Sequence, residues 1–472
     1  MTTLSCASPV QQRGQALVLG LLMAAAGGIS LVVLYNLGQT VGARQRLTHA
    51  ADAAAYSGAL EQARALNALA YINRTQIAHQ VAMAHLVTLA ASAQYARTMQ
   101  AQRSRGNPPA GLIAMLFGPD VGAAYQTARA VPDAEQRLAS AFGEHDRVVH
   151  QVLEASAASA VAGLAASRER IMNKVLSANL SDDAPASGAG AATGRGASLR
   201  LLTDGWPGYV ARRLATRAAG LRPAVEQAVQ RHGFLNSRNA TRRNPWMVRP
   251  LCPLHRHELR RRGYTWLGPD GRWGALDTQS YHALRFNRWR GCYFREYAMG
   301  WGTAQGQKIK APEGLEYVDE PPLDFSDQDF WRWVELSTNW DLLKDISNPM
   351  ANSYAMAAAQ RWPGRGLPAY RDIALPRSGE PLRFAVAVRL VGSSLKTTDA
   401  DSAVRAPLGR FRYAALGPED AVTVTSAAET YFARPERRAD GRDELATLFR
   451  PYWQARLSAT TAGEAAQARR AP

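Results

Sequence analysis

Thirty consecutive residues without a charge, Gly14 to Ala43, constrain this chain more than any other feature. Their core, ALVLGLLMAAAGGISLVVLYNL, runs for 22 residues from Ala16 to Leu37. A helix rising about 1.5 Å per residue needs about 20 residues to cross roughly 30 Å of hydrocarbon, so the run predicts a membrane-spanning helix with the lipid bilayer as a partner. Gly27 and Gly28 are tolerated inside such a helix and let a neighbouring helix come close. Tyr35 lies near one end, where an amphipathic ring suits the interface. A cleaved signal peptide is the rival reading, because Val41-Gly42-Ala43 is a small-residue site. Signal-peptide apolar regions run only about 7–15 residues, so a retained anchor is expected. Arg13 stands before the span and Arg44 and Arg46 after it, so arginine asymmetry does not set the orientation.

Beyond the span the helical pattern continues to about Gln102. Leu60, Ala63, Leu66, Ala70, Ile77, Val81 and Ala84 recur at helical spacing, and no proline occurs between Val10 and Asn107. Asn107-Pro108-Pro109 breaks the rod. A second helical block from about Pro119 to Leu180 carries its own apolar face (Val148, Val152, Ala155, Val161), which predicts a hairpin. Residues 181–198 are poor in bulky side chains and read as a flexible linker. A short helix is expected over Tyr209 to Arg231. After Asn244 alanine gives way to proline, tryptophan and short apolar runs, with strands expected at Leu382–Val391, Ala421–Thr425 and near Phe411–Ala415. The fold class is therefore α+β: segment 1–13, a transmembrane helix at 14–43, a helical stalk or hairpin at 44–180, a linker at 181–198, a basic, tryptophan-rich α+β domain at 199–458 and a disordered tail at 459–472.

The order Arg13-Gly14-Gln15-Ala16, apolar span, Arg44-Gln45-Arg46-Leu47, then Ala50-Ala51-Asp52-Ala53-Ala54-Ala55 resembles the N-terminal domain of the tight-adherence (Flp-type) pilus-assembly proteins of bacteria, TadE/TadG-like membrane proteins. The resemblance covers about residues 13 to 60. It implies a cytoplasmic N-terminus, the bulk of the chain in the periplasm or outside, a single pass through the inner membrane, and helix packing against other pilus-assembly or pilin-like subunits. The membrane and assembly residues are then Gly14, Gly27, Gly28, Tyr35, Arg44, Arg46 and Asp52. Asp52 is either a polar contact among small side chains or a solvated acid. Two departures narrow the match. Leu19 stands five residues after Gly14, where processed type IV pilins carry glutamate, so processing and polymerisation as a major pilin are not expected. The segment Asp324-Phe325-Ser326-Asp327-Gln328 lacks the second serine of a metal-dependent adhesion loop.

Net charge is +17, and 51 of the 56 basic residues are arginine. Between Gly194 and Gly300 stand 20 arginines against six acids. They interleave with Trp206, Trp246, Tyr264, Trp266, Trp273, Trp289 and Tyr293, a combination that can grip phosphate and stack on bases. Structural use of these arginines or an anionic polymer as partner is the first expectation. A nucleic-acid or other polyanion module is the alternative, and nucleic acid ranks below. Three cysteines are too few for a disulfide framework. Cys252 and Cys292 are candidates for one bridge in an oxidising compartment. With His255 and His257 they are also a zinc donor set, though not at a finger spacing, and no metal and no cofactor are expected. No nucleophile elbow, phosphate loop, HExxH motif or paired acids stands in a convincing setting, so enzyme activity is not expected.

Overall fold

The computed structural model describes residues 15–106, 108–180, 196–215, 220–288, 291–304, 364–374, 380–395, 397–398, 403–406, 409–412, 420–442 and 444–470. The first helix, α1, runs unbroken for 90 residues from Gln15 to Ser104. A proline-free, alanine-rich sequence permits this length, about 135 Å at 1.5 Å per residue. It ends in a turn at Gly106, whose φ of +68° favours glycine. Short helices α2 (Ala110–Phe117) and α3 (Pro119–Thr127) follow. Next come α4 (Ala134–Arg147), a π-helical turn (Val148–Leu153) and α5 (Glu154–Leu180).

The chain divides into two compact units, each assembled from separate stretches. The first comprises residues 1–70, 160–211 and 373–472, the second residues 71–159 and 212–372. This replaces the consecutive scheme of a helical stretch at 44–180 followed by one domain at 199–458. Strand pairing is the physical reason, since it joins residues nearly two hundred apart and so draws early and late segments into the same sheet.

In the first unit a four-stranded antiparallel sheet has the order β1 (Ala197–Asp204), β8 (Leu382–Val391), β11 (Ala421–Phe432), β12 (Trp453–Ser458). Alternate residues of β8 (Phe384, Val386, Val388) and β11 (Val422, Val424, Ala428) share one core with Leu47, Ala50, Ala51, Ala54, Ala55 and Ala59 of α1 and with Met172 and Leu176 of α5. Small residues on α1 let the helix lie close to the sheet. At Gly58 a Cβ would come within 2.8 Å of both Met172 Sδ and Phe384 Cζ. The returning α5 meets α1 in antiparallel order, with Ser167 donating to Glu61 at 2.6 Å. Inside α5, Arg168 is 2% exposed and forks onto Asp204 of β1.

Residues of opposite parity on β1 and β8 reach the far face, where the tail helix α7 (Ala462–Arg470) packs. The expected disorder of 459–472 is thereby corrected for its described part. Thr461-Ala462-Gly463-Glu464 forms a capping box: the Thr461 N–H donates to Glu464 Oε2 at 2.8 Å, and the Glu464 N–H donates to Thr461 Oγ at 3.2 Å. Glu464 is buried and also paired with Arg383 and Thr203. Arg383 above all holds the Glu464 carboxyl down at about 2 from its usual 4.5. Its contribution is therefore complete above pH about 4.5 and is lost as pH falls towards 2. Amide exchange over 462–470 is expected to rise across that window, and Glu464→Gln to raise it at neutral pH.

The second unit is built on another antiparallel sheet, ordered β3 (Ala240–Arg243), β4 (Glu258–Leu267), β5 (Trp273–Asn287), β6 (Gly291–Ala304). Its core gathers Tyr95 and Met99 of α1, Ile113, Leu116 and Phe117 of α2, Tyr125 of α3, and Leu259, Tyr281, Ala283 and Met299 of the sheet. Here too α1 meets the returning helix in antiparallel order, through Arg97–Glu135 at 3.2 Å and His79 Nδ1–His145 Nδ1 at 2.7 Å. The expected helix over Tyr209–Arg231 shrinks to α6 (Leu221–Val229), because Val210–Arg213 is strand β2, paired with β7 (Tyr370–Ile373). Gly220, with φ +83° and no room for a Cβ beside Tyr370, marks the change of conformation. Two further short strands, β9 (Ala403–Ala406) and β10 (Gly409–Arg412), pair with each other, and β10 begins the strand expected near Phe411.

Each edge strand that faces α1 is met by polar side chains of the helix. On β12, Asn67 donates to the Trp453 carbonyl and accepts from the Trp453 N–H, both at 3.0 Å. On β6, Thr98 makes the same double contact with Trp301, and the Thr303 N–H donates to Gln94 at 2.7 Å. Backbone groups left over by strand pairing are thus satisfied by amides and hydroxyls.

Candidate functional site: the apolar helix and the segment that follows it

From Leu17 to Leu37 the large apolar side chains of α1 stand in the open. Leu17 is 71% exposed and Leu31 69%, with Leu19, Leu21, Leu22, Met23 and Leu34 all above half. By length and composition this helix can cross a membrane, and its most apolar window has no part buried in the protein. Burying a leucine side chain is worth about 1.5–3 kcal/mol, so an exposed run of this kind needs an apolar medium or partner. The helical stretch Ala134–Leu180 meets the same test of length and composition. Its apolarity is largely alanine, and the buried ion pair of Arg168 marks it as a packing helix of the fold.

Gly27 and Gly28 have nothing within 4 Å of a built Cβ, so the small face is open to a neighbouring helix. Tyr35 is half exposed, and its neighbour Asn36 is buried, exchanging hydrogen bonds of 2.6 and 2.9 Å with Thr398. Arg44 and Arg46 are exposed. Asp52 is half-buried and accepts from Ser426 of β11 at 2.6 Å. The segment after the span is accordingly docked under the first sheet of its own chain, and Asp52 is one polar point of that docking. Four residues later in β11, Thr430 donates to the Ala59 carbonyl at 2.9 Å, on the same face. Gly14, the segment 1–13, residues 181–195 of the linker and Asp319 to Gln328 lie outside the described residues.

Cys252 and Cys292 form a disulfide, with Cα atoms 5.9 Å apart. Both sulfurs of the candidate zinc set are therefore used on each other. His257 Nδ1 accepts from the Leu284 N–H at 2.8 Å, and burial pulls its pKa down to about 4. The histidine is a neutral acceptor that ties the loop just before β4 to β5.

Among the described residues, several arginines of the basic block are engaged by the fold. Arg238 holds the fully buried Asp277 with both arms, at 2.8 and 3.1 Å. Arg243 and Arg260 share the buried Glu258 at 2.9 and 2.8 Å, Arg212 pairs with Glu154, and Arg242 pairs with Asp120 at 3.3 Å. Arg261 lies over the Tyr95 ring. Among the described residues the aromatics form no shared platform: Trp206 and Trp273 are buried, Tyr264 pairs with Trp266, and Trp246 stands exposed on a loop. Trp289 and the side chain of Tyr293 lie outside the described residues. Among the described residues no three His, Cys, Asp or Glu side chains gather as metal ligands.

Sequence periodicity missed the polar side chains that meet the sheet edges. Asn67, Gln94 and Thr98 read as the wet face of a helix until the strands beside them are known. Neither the curated proteins nor the solved structures contain a match to the chain. One comparison does return a match, and it falls on the stretch just described: residues 14–63, from the start of the apolar run to the helix packed under the sheet, match the family model described as putative Flp pilus-assembly TadE/G-like.

Proposed function

We propose that this protein is a membrane-anchored structural or assembly component of a bacterial tight-adherence (Flp-type) pilus or related surface or secretion system. The uncovered apolar stretch of α1 within residues 14–43 crosses the inner membrane once, residues 1–13 stay in the cytoplasm, and the remainder of both units lies in the periplasm. The observation that carries this reading is the continuity of α1. One helix leaves an uncovered apolar stretch and becomes, within the matched family segment, a core element of a folded unit. The open face at Gly27 and Gly28 suits packing against other pilin-like helices. The disulfide suits an oxidising compartment. The chain works by holding and packing, not by catalysis, and the arginine block serves the fold before any nucleic acid or other polyanion.

A fusion of alkaline phosphatase to the C-terminus of the full chain tests the topology. Enzyme activity is expected, with the protein remaining in the membrane pellet after carbonate extraction. Activity from a cytoplasmic reporter at the same position, or release by carbonate, would overturn the anchor and its orientation.

A further inference from the structure

Between Asn244 and His257 the chain of the second unit forms a closed loop. Its neck is fastened twice: the Asn244 N–H donates to the His257 carbonyl at 3.1 Å, and the His257 N–H donates to Asn244 Oδ1 at 2.8 Å. Midway the disulfide ties Cys252 to β6. Inside the loop the Cys252 N–H donates to the Arg249 carbonyl and the His255 N–H to the Cys252 carbonyl, while Pro245, Pro250 and Pro253 restrict the backbone further. A loop fixed this firmly could fold its apolar side chains inward. It presents them instead: Trp246 is 46% exposed, Met247 54%, Leu251 67% and Leu254 89%. The Leu251 carbonyl lies 3.5 Å from Cys292 Sγ, and the register partner of Cys292, Phe286, is 38% exposed.

Charge identifies the occupant. Residues 244–257 hold no acid, and Arg249, His255 and Arg256 punctuate the apolar set. The next acid, Glu258, is already shared by Arg243 and Arg260. Tryptophan and leucine beside arginine, with no carboxylate, match the boundary between phosphate headgroups and acyl chains. An irregular loop suits a fluid surface, whereas a protein groove would have to be shaped to it.

We propose that loop 245–256 seats on a bilayer surface rich in anionic phospholipid, with Trp246, Met247, Leu251 and Leu254 entering the interface and Arg249 and Arg256 meeting phosphates. The proposal stands independently of the anchor helix. The test holds the full chain in nanodiscs of phosphatidylcholine and measures its sedimentation with sucrose-loaded vesicles of phosphatidylcholine, with and without phosphatidylglycerol. Binding is expected to the phosphatidylglycerol vesicles and to weaken with salt. Leu251→Ser with Leu254→Ser is expected to weaken it about tenfold or more, and Arg249→Gln about fivefold. If the double variant fails to fold, Leu254→Ser alone carries the test, its side chain being almost wholly in solvent. No binding to anionic vesicles overturns the proposal, as does binding indifferent to the leucines, which would leave these side chains to a protein partner.

Discussion

Gly302→Ala is expected to destabilise the second unit by about 3 kcal/mol, the upper part of the range for overpacking a tight interior. A Cβ at Gly302 would lie 2.5 Å from the Tyr95 nitrogen and closer still to the Ala91 carbonyl oxygen. Both atoms belong to the backbone of α1, so neither can swing aside as a side-chain tip would. The helix must retreat from β6, and the contacts of Thr98 with Trp301 and of Gln94 with Thr303 are stretched with it. Gly143, in α4, has nothing within 4 Å of its built Cβ, so Gly143→Ala is expected to be neutral or slightly stabilising. Urea titration followed by amide exchange on β6 separates the two variants. An unchanged midpoint for Gly302→Ala would contradict the close approach.

Arg168→Ala is expected to cost the first unit about 3 kcal/mol, because removing one partner strands the other charge. Arg168 donates to Asp204 Oδ1 at 2.9 Å and also to Oδ2, and its guanidinium lies 4.9 Å from the centre of the Phe384 ring. Asp204 accepts in addition from the Trp206 N–H at 3.0 Å, so the pair fixes the turn that follows β1. The double variant Arg168→Ala/Asp204→Ala should lose clearly less than the sum of the two single losses, because the second removal takes away a charge already unpaired. Additive losses in that cycle would show that the two side chains do not act as a pair.

What the sequence discloses follows how local each cause is. The length of α1 is legible because proline is absent and alanine abundant, both properties of neighbouring residues. Strand β8 is legible for the same reason, Phe384, Val386, Val388 and Leu390 standing at every second position between Leu382 and Val391. The pairing of β1 with β8 is not legible, because nothing near Ala197 names Leu390 as its partner. The division into two interleaved units follows from such pairings and stays hidden with them. Asp52 stands out as the one acid of the small-residue stretch 46–59, but its acceptor role towards Ser426 needs a strand nearly four hundred residues away. The tail is a different case: Thr461 and Glu464 spell a capping box in the sequence itself, and the alanine- and arginine-rich composition around them masks it.

The polar fingers that α1 lays on β12 and β6 also restrict how copies of this protein can join. Strand exchange, by which some fibres thread a segment of one subunit into the next, needs a vacant row of backbone donors and acceptors. At Trp453 and at Trp301 to Thr303 those positions are already taken by the molecule's own helix. A strand added at those positions would first have to displace side chains of the molecule's own helix, which works against both strand exchange and β-aggregation there.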